Sequence, residues 1–341
     1  MFNSLRGLTR RSTAASVSEV ARGTSHGPSQ SGLPLQRAFN LGKEAASTQQ
    51  QQQRPLVTET AVAASSGTVV QSALGMVKFA VKAYIALLLG ICVFQRKLIF
   101  MTRDSVIDPR YRGGDPQVIT MPSKVINTRL AAAYYKATDP QAPVLVYFHG
   151  NADELGNGAA FLGQHFQQRG LGFLGLEYPG YGLSKPGAPT EANIYQASEE
   201  LLQRLSTRLK LDPNRLVLLG QSIGCGVAVE MAKRGFGHKI VLISPFTSMP
   251  EMAAEVYPFL KPALAVVPFM LFDKFDNKAK APSLELPALV VHGTKDEIVP
   301  YEMGKTVAKL LRAQFLSVPG GGHNDPFEVS VLSAIEDFAR G

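Results

Sequence analysis

The five residues G-Q-S-I-G at 220–224 are of the types that nucleophilic catalysis requires. They follow a short aliphatic run and open a helical pattern. In such a strand–turn–helix, the serine is held in a strained backbone conformation, and the residues two before and two after it have no room for side chains. Gly220 and Gly224 meet this requirement. We therefore predict that Ser222 is a nucleophile and that the N–H of Ile223, at the start of the helix, donates to an oxyanion.

A serine hydroxyl is a weak nucleophile and needs a general base that a carboxylate orients. His323 follows the last predicted strand on a glycine-rich loop, from which its imidazole can reach the carboxyl edge of a sheet. Asp296 follows the preceding predicted strand at that edge, and Glu297 is the competing carboxylate. His149 and His292 each end a strand before a glycine, so we interpret them as structural hydrogen-bonding residues. The predicted base is His323, oriented by Asp296.

An oxyanion hole needs a second N–H group beside that of Ile223. The turn after the first predicted parallel strand is the place where it is expected. There, Gly150 allows a close approach of the backbone, and the N–H of Asn151 or of Ala152 would donate. The sequence leaves both donors open.

These residues require a sheet that brings the ends of its strands together. From about residue 113, aliphatic runs bounded by glycine or proline alternate with longer amphipathic stretches, a pattern typical of a mostly parallel sheet with helices on both faces. Residues 124–137 are expected to add antiparallel strands at one edge. The predicted strands cover residues 144–149, 171–176, 216–219, 240–243, 288–292 and 315–318. The predicted helices cover residues 155–169, 192–209, 223–234, 303–312 and 326–339.

An insertion rich in methionine and aromatic residues, 244–286, separates two of the predicted strands. An apolar cover near a serine nucleophile favours acyl-chain substrates, so we interpret the insertion as a small helical lid. Helices that simply pack on the core would need the same residues, and this alternative stays open.

The basic charge of the chain lies in its N-terminal third. The net charge is +8, but residues 1–103 carry 12 Lys and Arg against 3 Asp and Glu, whereas residues 104–341 carry 23 against 24. A globular domain that binds nucleic acid is excluded by this distribution. The two cysteines provide neither a disulfide framework nor the spacing of metal ligands. Neither a metal nor an organic cofactor is expected.

Two segments precede the globular domain, which is expected to span residues 113–341. Residues 1–68 are predicted to be a disordered leader, and their arginine- and serine-rich start is typical of an organellar transit peptide, such as a mitochondrial one. A disordered cytosolic tail is the alternative. Residues 69–101 are predicted to form a single-pass membrane helix, with lysines and arginines flanking the apolar run at 83–94. A helix packed on the globular domain is the alternative.

Several short motifs resemble those of the α/β-hydrolase superfamily, specifically its membrane-anchored serine hydrolases, a branch that includes protein depalmitoylases. The matching motifs are YFHGNA (147–152), EYPGYGLS (177–184), LGQSIGCG (219–226), SPFTSM (244–249), KFDNKAKAP (274–282), HGTKDEIVP (292–300) and GGGHND (320–325). The chain order Ser222, Asp296, His323 is also the order of that superfamily. The resemblance implies the α/β-hydrolase fold.

The sequence therefore predicts a membrane-anchored serine hydrolase that cleaves carboxylic esters or thioesters of an acylated lipid or protein through an acyl-enzyme. Two alternatives remain. An acyltransferase would use the same acyl-enzyme with a different acceptor, and a catalytically idle hydrolase fold would serve as a membrane-tethered binding or scaffold protein.

Overall fold

The computed structural model describes residues 59–105, 116–267 and 269–341. Eight strands form one sheet: β1 (Gln117–Pro122), β2 (Arg129–Tyr135), β3 (Val144–Phe148), β4 (Gly172–Leu176), β5 (Leu216–Gln221), β6 (Lys239–Ile243), β7 (Ala288–Gly293) and β8 (Gln314–Val318). The helices in these ranges are α1 (Glu59–Ile99), α2 (Gly158–Gln168), α3 (Glu191–Leu209), α4 (Ile223–Lys233), α5 (Met249–Val256), α6 (Lys261–Val266), α7 (Asn277–Lys280), α8 (Tyr301–Leu311) and α9 (Val329–Arg340).

The strand order is β1-β2-β4-β3-β5-β6-β7-β8. Strands β3 to β8 pair in parallel, and β1 and β2 join the sheet antiparallel next to β4. This arrangement confirms the predicted mostly parallel sheet with antiparallel strands at one edge. The carboxyl ends of β3, β5, β7 and β8 therefore meet at a single edge, where the loops that carry the candidate residues begin.

Two apolar cores lie on opposite faces of the sheet. One core contains buried side chains of α3, α4 and α8, and the other contains those of α2 and α9. The five central strands β3 to β7 are almost wholly buried, which explains why their sequences are continuous aliphatic runs rather than alternating ones.

The loop after β3 is longer than the sequence pattern suggested, because α2 begins at Gly158 rather than at residue 155. The cause is Asp153, whose Oδ1 accepts hydrogen bonds from the N–H groups of Glu154 (2.9 Å) and Gly158 (3.1 Å). The side chain closes a turn that takes the place of the first helical residues. At the lateral edge of the sheet, the first antiparallel strand, β1, begins at Gln117, before the segment 124–137 in which antiparallel strands were expected.

The insertion at 244–286 contains α5, α6 and α7, and its apolar side chains form a small third core. The C-terminal half of α1 belongs to this core, since Tyr84, Leu88, Ile91 and Cys92 pack against it. Residues Ser66–Gly341 form one compact unit that includes this part of α1. The predicted leader at 1–68 lies outside the described residues up to residue 58, but residues 59–68 belong to α1 and so are helical rather than disordered.

Candidate active site

Ser222 occupies a sharp turn between β5 and α4. Its backbone angles are φ 53° and ψ −119°, in the positive-φ region that residues other than glycine rarely adopt. A Cβ atom at Gly220 would lie 2.6 Å from the carbonyl oxygen of Gly224, and one at Gly224 would collide with the carbonyl oxygen of Phe148. The turn can therefore form only with glycine at both positions, and Ser222 at its apex lines a cavity.

The imidazole of His323 is held by Asp296. Its Nδ1 lies 2.8 Å from Oδ2 and 3.0 Å from Oδ1 of the carboxylate. Oδ1 also accepts hydrogen bonds from the N–H groups of Ile298 (2.9 Å) and Val299 (2.8 Å). Because a carboxylate can only accept, Nδ1 carries the proton, and Nε2 of the neutral imidazole is left as a base.

Asp296 is strongly stabilised as an anion. Burial of its side chain would raise its pKa, but hydrogen bonds from His292, His323 and the N–H of Val299 outweigh burial and hold the pKa well below its usual range. His292 Nε2 lies 3.3 Å from Oδ2 of Asp296 and 3.0 Å from the carbonyl oxygen of Val299. His292 thus braces the Asp296 loop, in keeping with its predicted structural role.

The competing carboxylate, Glu297, faces the backbone instead. Its Oε2 lies 3.4 Å from the backbone N–H of His323, and the side chain is exposed. Of the two neighbouring acids, only Asp296 contacts the imidazole ring.

The loop after β3 approaches Ser222 closely. A Cβ atom at Gly150 would lie 3.7 Å from Cβ of Ser222. The N–H of Ala152 is directed at Oδ1 of Asn151 (3.1 Å). The N–H groups of Asn151 and Ile223 have no hydrogen-bond acceptor in the part of the chain that the structure describes. Two backbone donors are therefore unoccupied beside Ser222, at Asn151 and at Ile223.

A buried ion pair supports this loop from below. His149 Nε2 lies 2.9 Å from Oε1 of Glu177, and its ring stacks on Tyr178 with 4.0 Å between centroids. The hydroxyl of Tyr178 donates to the carbonyl oxygen of His149 (2.8 Å). Burial would lower the pKa of His149, but the hydrogen bond and negative charge of Glu177 raise it above the usual value. These contacts keep the loop at a constant distance from the sheet edge.

Ser222 and His323 line one cavity of about 1070 Å³. No hydrogen bond joins their side chains among the described residues, and such bonds are often long before a substrate is bound. The apolar part of the wall comes from the insertion, and it includes Met252, Val256, Tyr257, Phe259, Leu260 and Leu271. The cavity is therefore polar at the sheet edge and apolar under the insertion.

The sequence pattern did not place α1 at this site. Its last turns line the cavity through Ile91, Gln95, Leu98 and Ile99. In the sequence, the one feature that could have indicated this placement is Gln95, a single amide directly after an apolar run. Its role is visible only in its hydrogen bonds with residues 270–272, which are far from it in the chain. Among the described residues, no cluster of three or more His, Cys, Asp or Glu side chains could hold a metal ion.

Two family models match the globular part of the chain. The model for serine aminopeptidase S33 matches residues 139–276, and the model for TAP-like protein matches residues 268–339. Human alpha/beta hydrolase domain-containing protein 17B is 31% identical over 199 residues, 58% of this chain and 66% of that protein. An uncharacterized protein of Mycobacterium tuberculosis is 32% identical over 201 residues, 58% of this chain and 69% of that protein. The match thus spans about two thirds of the length of these relatives.

Solved structures support the same architecture. The esterase Pf2001 of Pyrococcus furiosus superposes with a TM-score of 0.54 and 14% identity, over 70% of this chain and 96% of that one. At this identity the likeness shows the fold alone. The predicted α/β-hydrolase fold is confirmed.

Proposed function

Because the chain belongs to the α/β-hydrolase superfamily, we propose that it is a serine hydrolase that cleaves an acyl ester or thioester by way of an acyl-enzyme on Ser222. The observation that carries the proposal is the joint placement of Ser222 and His323 on one cavity, with Nδ1 of His323 held by Asp296 at 2.8 Å. The serine, histidine and aspartate side chains that such a mechanism needs lie at one sheet edge, which supports the proposal.

In the proposed reaction, Nε2 of His323 takes the proton of Ser222 Oγ as that oxygen attacks the substrate carbonyl. Asp296 accepts the Nδ1–H hydrogen bond and stabilises the imidazolium that forms. The imidazolium then protonates the departing alcohol or thiol, which leaves Ser222 acylated. Water attacks the acyl-enzyme, His323 takes its proton, and the carboxylic acid is released as Ser222 recovers its proton.

The tetrahedral oxyanion is proposed to lie between the N–H groups of Ile223 and Asn151. Both groups are unoccupied in the described part of the chain, whereas the N–H of Ala152 is directed at a side-chain oxygen. This contrast favours Asn151 over Ala152 as the second donor. Ile223 opens α4, so the positive end of the helix dipole adds to the stabilisation.

The chemistry of the cavity supports substrates with an aliphatic acyl group. Apolar side chains of the insertion and of α1 line the same cavity as Ser222, and an apolar pocket with a few polar groups favours a ligand that is itself largely apolar. The resemblance to the branch that includes depalmitoylases extends the proposal to thioesters of acylated proteins.

We also propose that the protein is a single-pass membrane protein held by α1. Residues Thr68–Ile99 are long and apolar enough to cross a bilayer, a weak criterion by itself. Because residues 84–95 also pack on the insertion, the part of α1 before them is proposed to enter the bilayer and the insertion to lie at the membrane surface. Release of the full-length protein into the supernatant by alkaline carbonate would contradict this proposal. Organellar delivery by residues 1–68 stays a prediction, and a purely cytosolic signal from a fluorescent fusion of residues 1–60 would contradict that.

The test of the catalytic proposal compares wild-type protein with Ser222→Ala. Wild type should react with a fluorophosphonate probe and hydrolyse p-nitrophenyl esters, and the variant should do neither, with kcat reduced roughly a million-fold. A suitable control is Ser244→Ala, since Ser244 is a buried serine at the end of the neighbouring strand β6.

Ester hydrolysis by Ser222→Ala at the wild-type rate would overturn the assignment of the nucleophile. An unreactive wild type that nevertheless binds a partner would favour the scaffold alternative. Transfer of the acyl group to added alcohols or thiols faster than to water would favour an acyltransferase.

A further inference from the structure

The last turns of α1 face the candidate active site. Tyr84, Leu88, Ile91 and Gln95 follow one another at helical spacing along the face that packs on the insertion. Leu89 and Val93 point away from it and are 61% and 73% exposed. The helix therefore has two different faces, although both are apolar in sequence.

Among the polar contacts that hold this part of α1 in place, two are made by residues that line the cavity, Gln95 and Asn151. Gln95 is only 2% exposed. Its Nε2 donates to the carbonyl oxygen of Met270 (3.0 Å), and its Oε1 accepts the N–H of Phe272 (2.8 Å). A buried amide satisfied at both ends holds the helix against residues 270–272, because separation would leave buried polar groups unpaired.

The second contact is at the end of the helix, beside Ser222. Nδ2 of Asn151 donates to the carbonyl oxygen of Ile99 (2.5 Å), and its Oδ1 accepts the N–H of Met101 (2.9 Å). The residue that we propose as an oxyanion donor is thus bonded through its side chain to the chain segment that leaves α1.

We propose that the C-terminal part of α1, residues 91–99, is a wall of the acyl-binding site and sets which chain lengths the enzyme accepts. Ile91 and Leu98 line the cavity together with Met252 and Leu271 of the insertion. The ligand is a linear aliphatic acyl chain, since the side chains that α1 and the insertion contribute are mainly apolar. This inference rests on the proposed function and adds that the predicted membrane helix has a second role, in substrate selection.

The experiment uses the full-length protein in detergent micelles and the ratio of kcat/KM for p-nitrophenyl octanoate to that for the acetate. Ile91→Phe fills the cavity wall and should lower this ratio at least tenfold, since one methylene in an apolar pocket discriminates by about 10–200-fold. Leu89→Phe introduces the same phenylalanine on the exposed face of the same helix and should keep the wild-type ratio.

Ile91→Ala provides a second variant in the opposite direction. It removes bulk from the wall and should raise the ratio of kcat/KM for p-nitrophenyl dodecanoate to that for the octanoate. This variant tests the inference even if Ile91→Phe does not fold. Fluorophosphonate labelling reports whether each variant retains a reactive Ser222. Labelled, active variants at Ile91 with the same ratios as Leu89→Phe would overturn the inference and leave the proposed function intact. A wild type that is neither labelled nor active would overturn both.

Discussion

The sheet edge and the region formed by α1 and the insertion differ in how they are held together. At the sheet edge, backbone geometry and short polar contacts between buried side chains leave little freedom, as at Asp296, where four groups converge on one carboxylate. Over the cavity, α1 and the insertion meet mainly through apolar side chains, with polar contacts along one face of the helix at Tyr84, Gln95 and Arg96. Large apolar side chains such as Val266 and Phe269 remain exposed.

The difference separates two requirements of the proposed enzyme. Proton transfer requires atoms held to within a fraction of an ångström, which the sheet edge provides. Binding of an aliphatic chain requires only an apolar surface of suitable width, and the side chains of α1 and the insertion provide it. Substitutions at the edge should therefore change turnover, and substitutions in the outer region should change stability and selectivity.

The largest effect is expected at the edge, where Asp296→Asn should lower kcat roughly ten-thousandfold, because an amide favours the wrong tautomer of His323. Glu297→Gln is the matched control, since its carboxylate meets only a backbone N–H. It should cost no more than about tenfold, because the amide oxygen of glutamine can still accept this hydrogen bond. Steady-state kinetics on a p-nitrophenyl ester measure both. A loss of kcat in Glu297→Gln larger than that in Asp296→Asn would mean that Glu297, and not Asp296, orients His323.

A smaller effect, on stability, is expected where α1 meets the insertion. Arg96 pairs with Asp273 at 2.9 Å, and the Asp273 side chain is 3% exposed. Arg96→Ala should lower the free energy of unfolding by about 1 kcal/mol or more, because it leaves a buried carboxylate without its cation. Lys97→Ala removes a neighbouring charge that makes no ion pair among the described residues, and it should change stability by less than about 0.5 kcal/mol.

Denaturant unfolding of the full-length protein measures both variants. Equal losses in the two would mean that the Arg96–Asp273 pair contributes nothing to the stability of this contact. The double variant Arg96→Ala/Asp273→Asn should recover part of the loss, since the uncompensated charge is removed with its partner.

The smallest effect concerns the support beneath the oxyanion loop. The pKa of His149 is raised above 6.5 because Glu177 outweighs burial, so its contribution to stability is present below pH 6.5 and lost as pH rises through the folded pKa. Glu177→Gln removes the cause of the raised pKa and should flatten the decrease in unfolding free energy above about pH 6.5. The change in slope should be less than about 1.4 kcal/mol per pH unit, the limit for one proton.

His238→Gln is the control for that titration. His238 lies at the amino end of β6, and burial lowers its pKa, so it titrates below pH 6.5. The decrease in unfolding free energy above pH 6.5 should therefore persist in His238→Gln. If Glu177→Gln leaves the decrease in unfolding free energy above pH 6.5 unchanged, a group other than His149 titrates there.

Much of the fold could be predicted because its signals are local. Aliphatic runs of about five residues predicted β3 to β7, since strands buried on both faces need apolar side chains at every position. The start of α2 could not be predicted, because it depends on a turn closed by the Asp153 side chain. The assignment of Ser222 as nucleophile, with His323 and Asp296, stays a prediction of the motif, and the geometry supports it.

The sequence by itself determined the elements, their order and the side chains available at the sheet edge, since each depends on periodicity and on glycine positions within a few residues of one another. Only the tertiary structure placed α1 against the cavity, and only it gave a reason to favour Asn151 over Ala152 as the proposed donor. The placement of α1 depends on hydrogen bonds between residues far apart in the chain, such as Gln95 with Met270 and Asn151 with Ile99. Local patterns carry no information about such pairs.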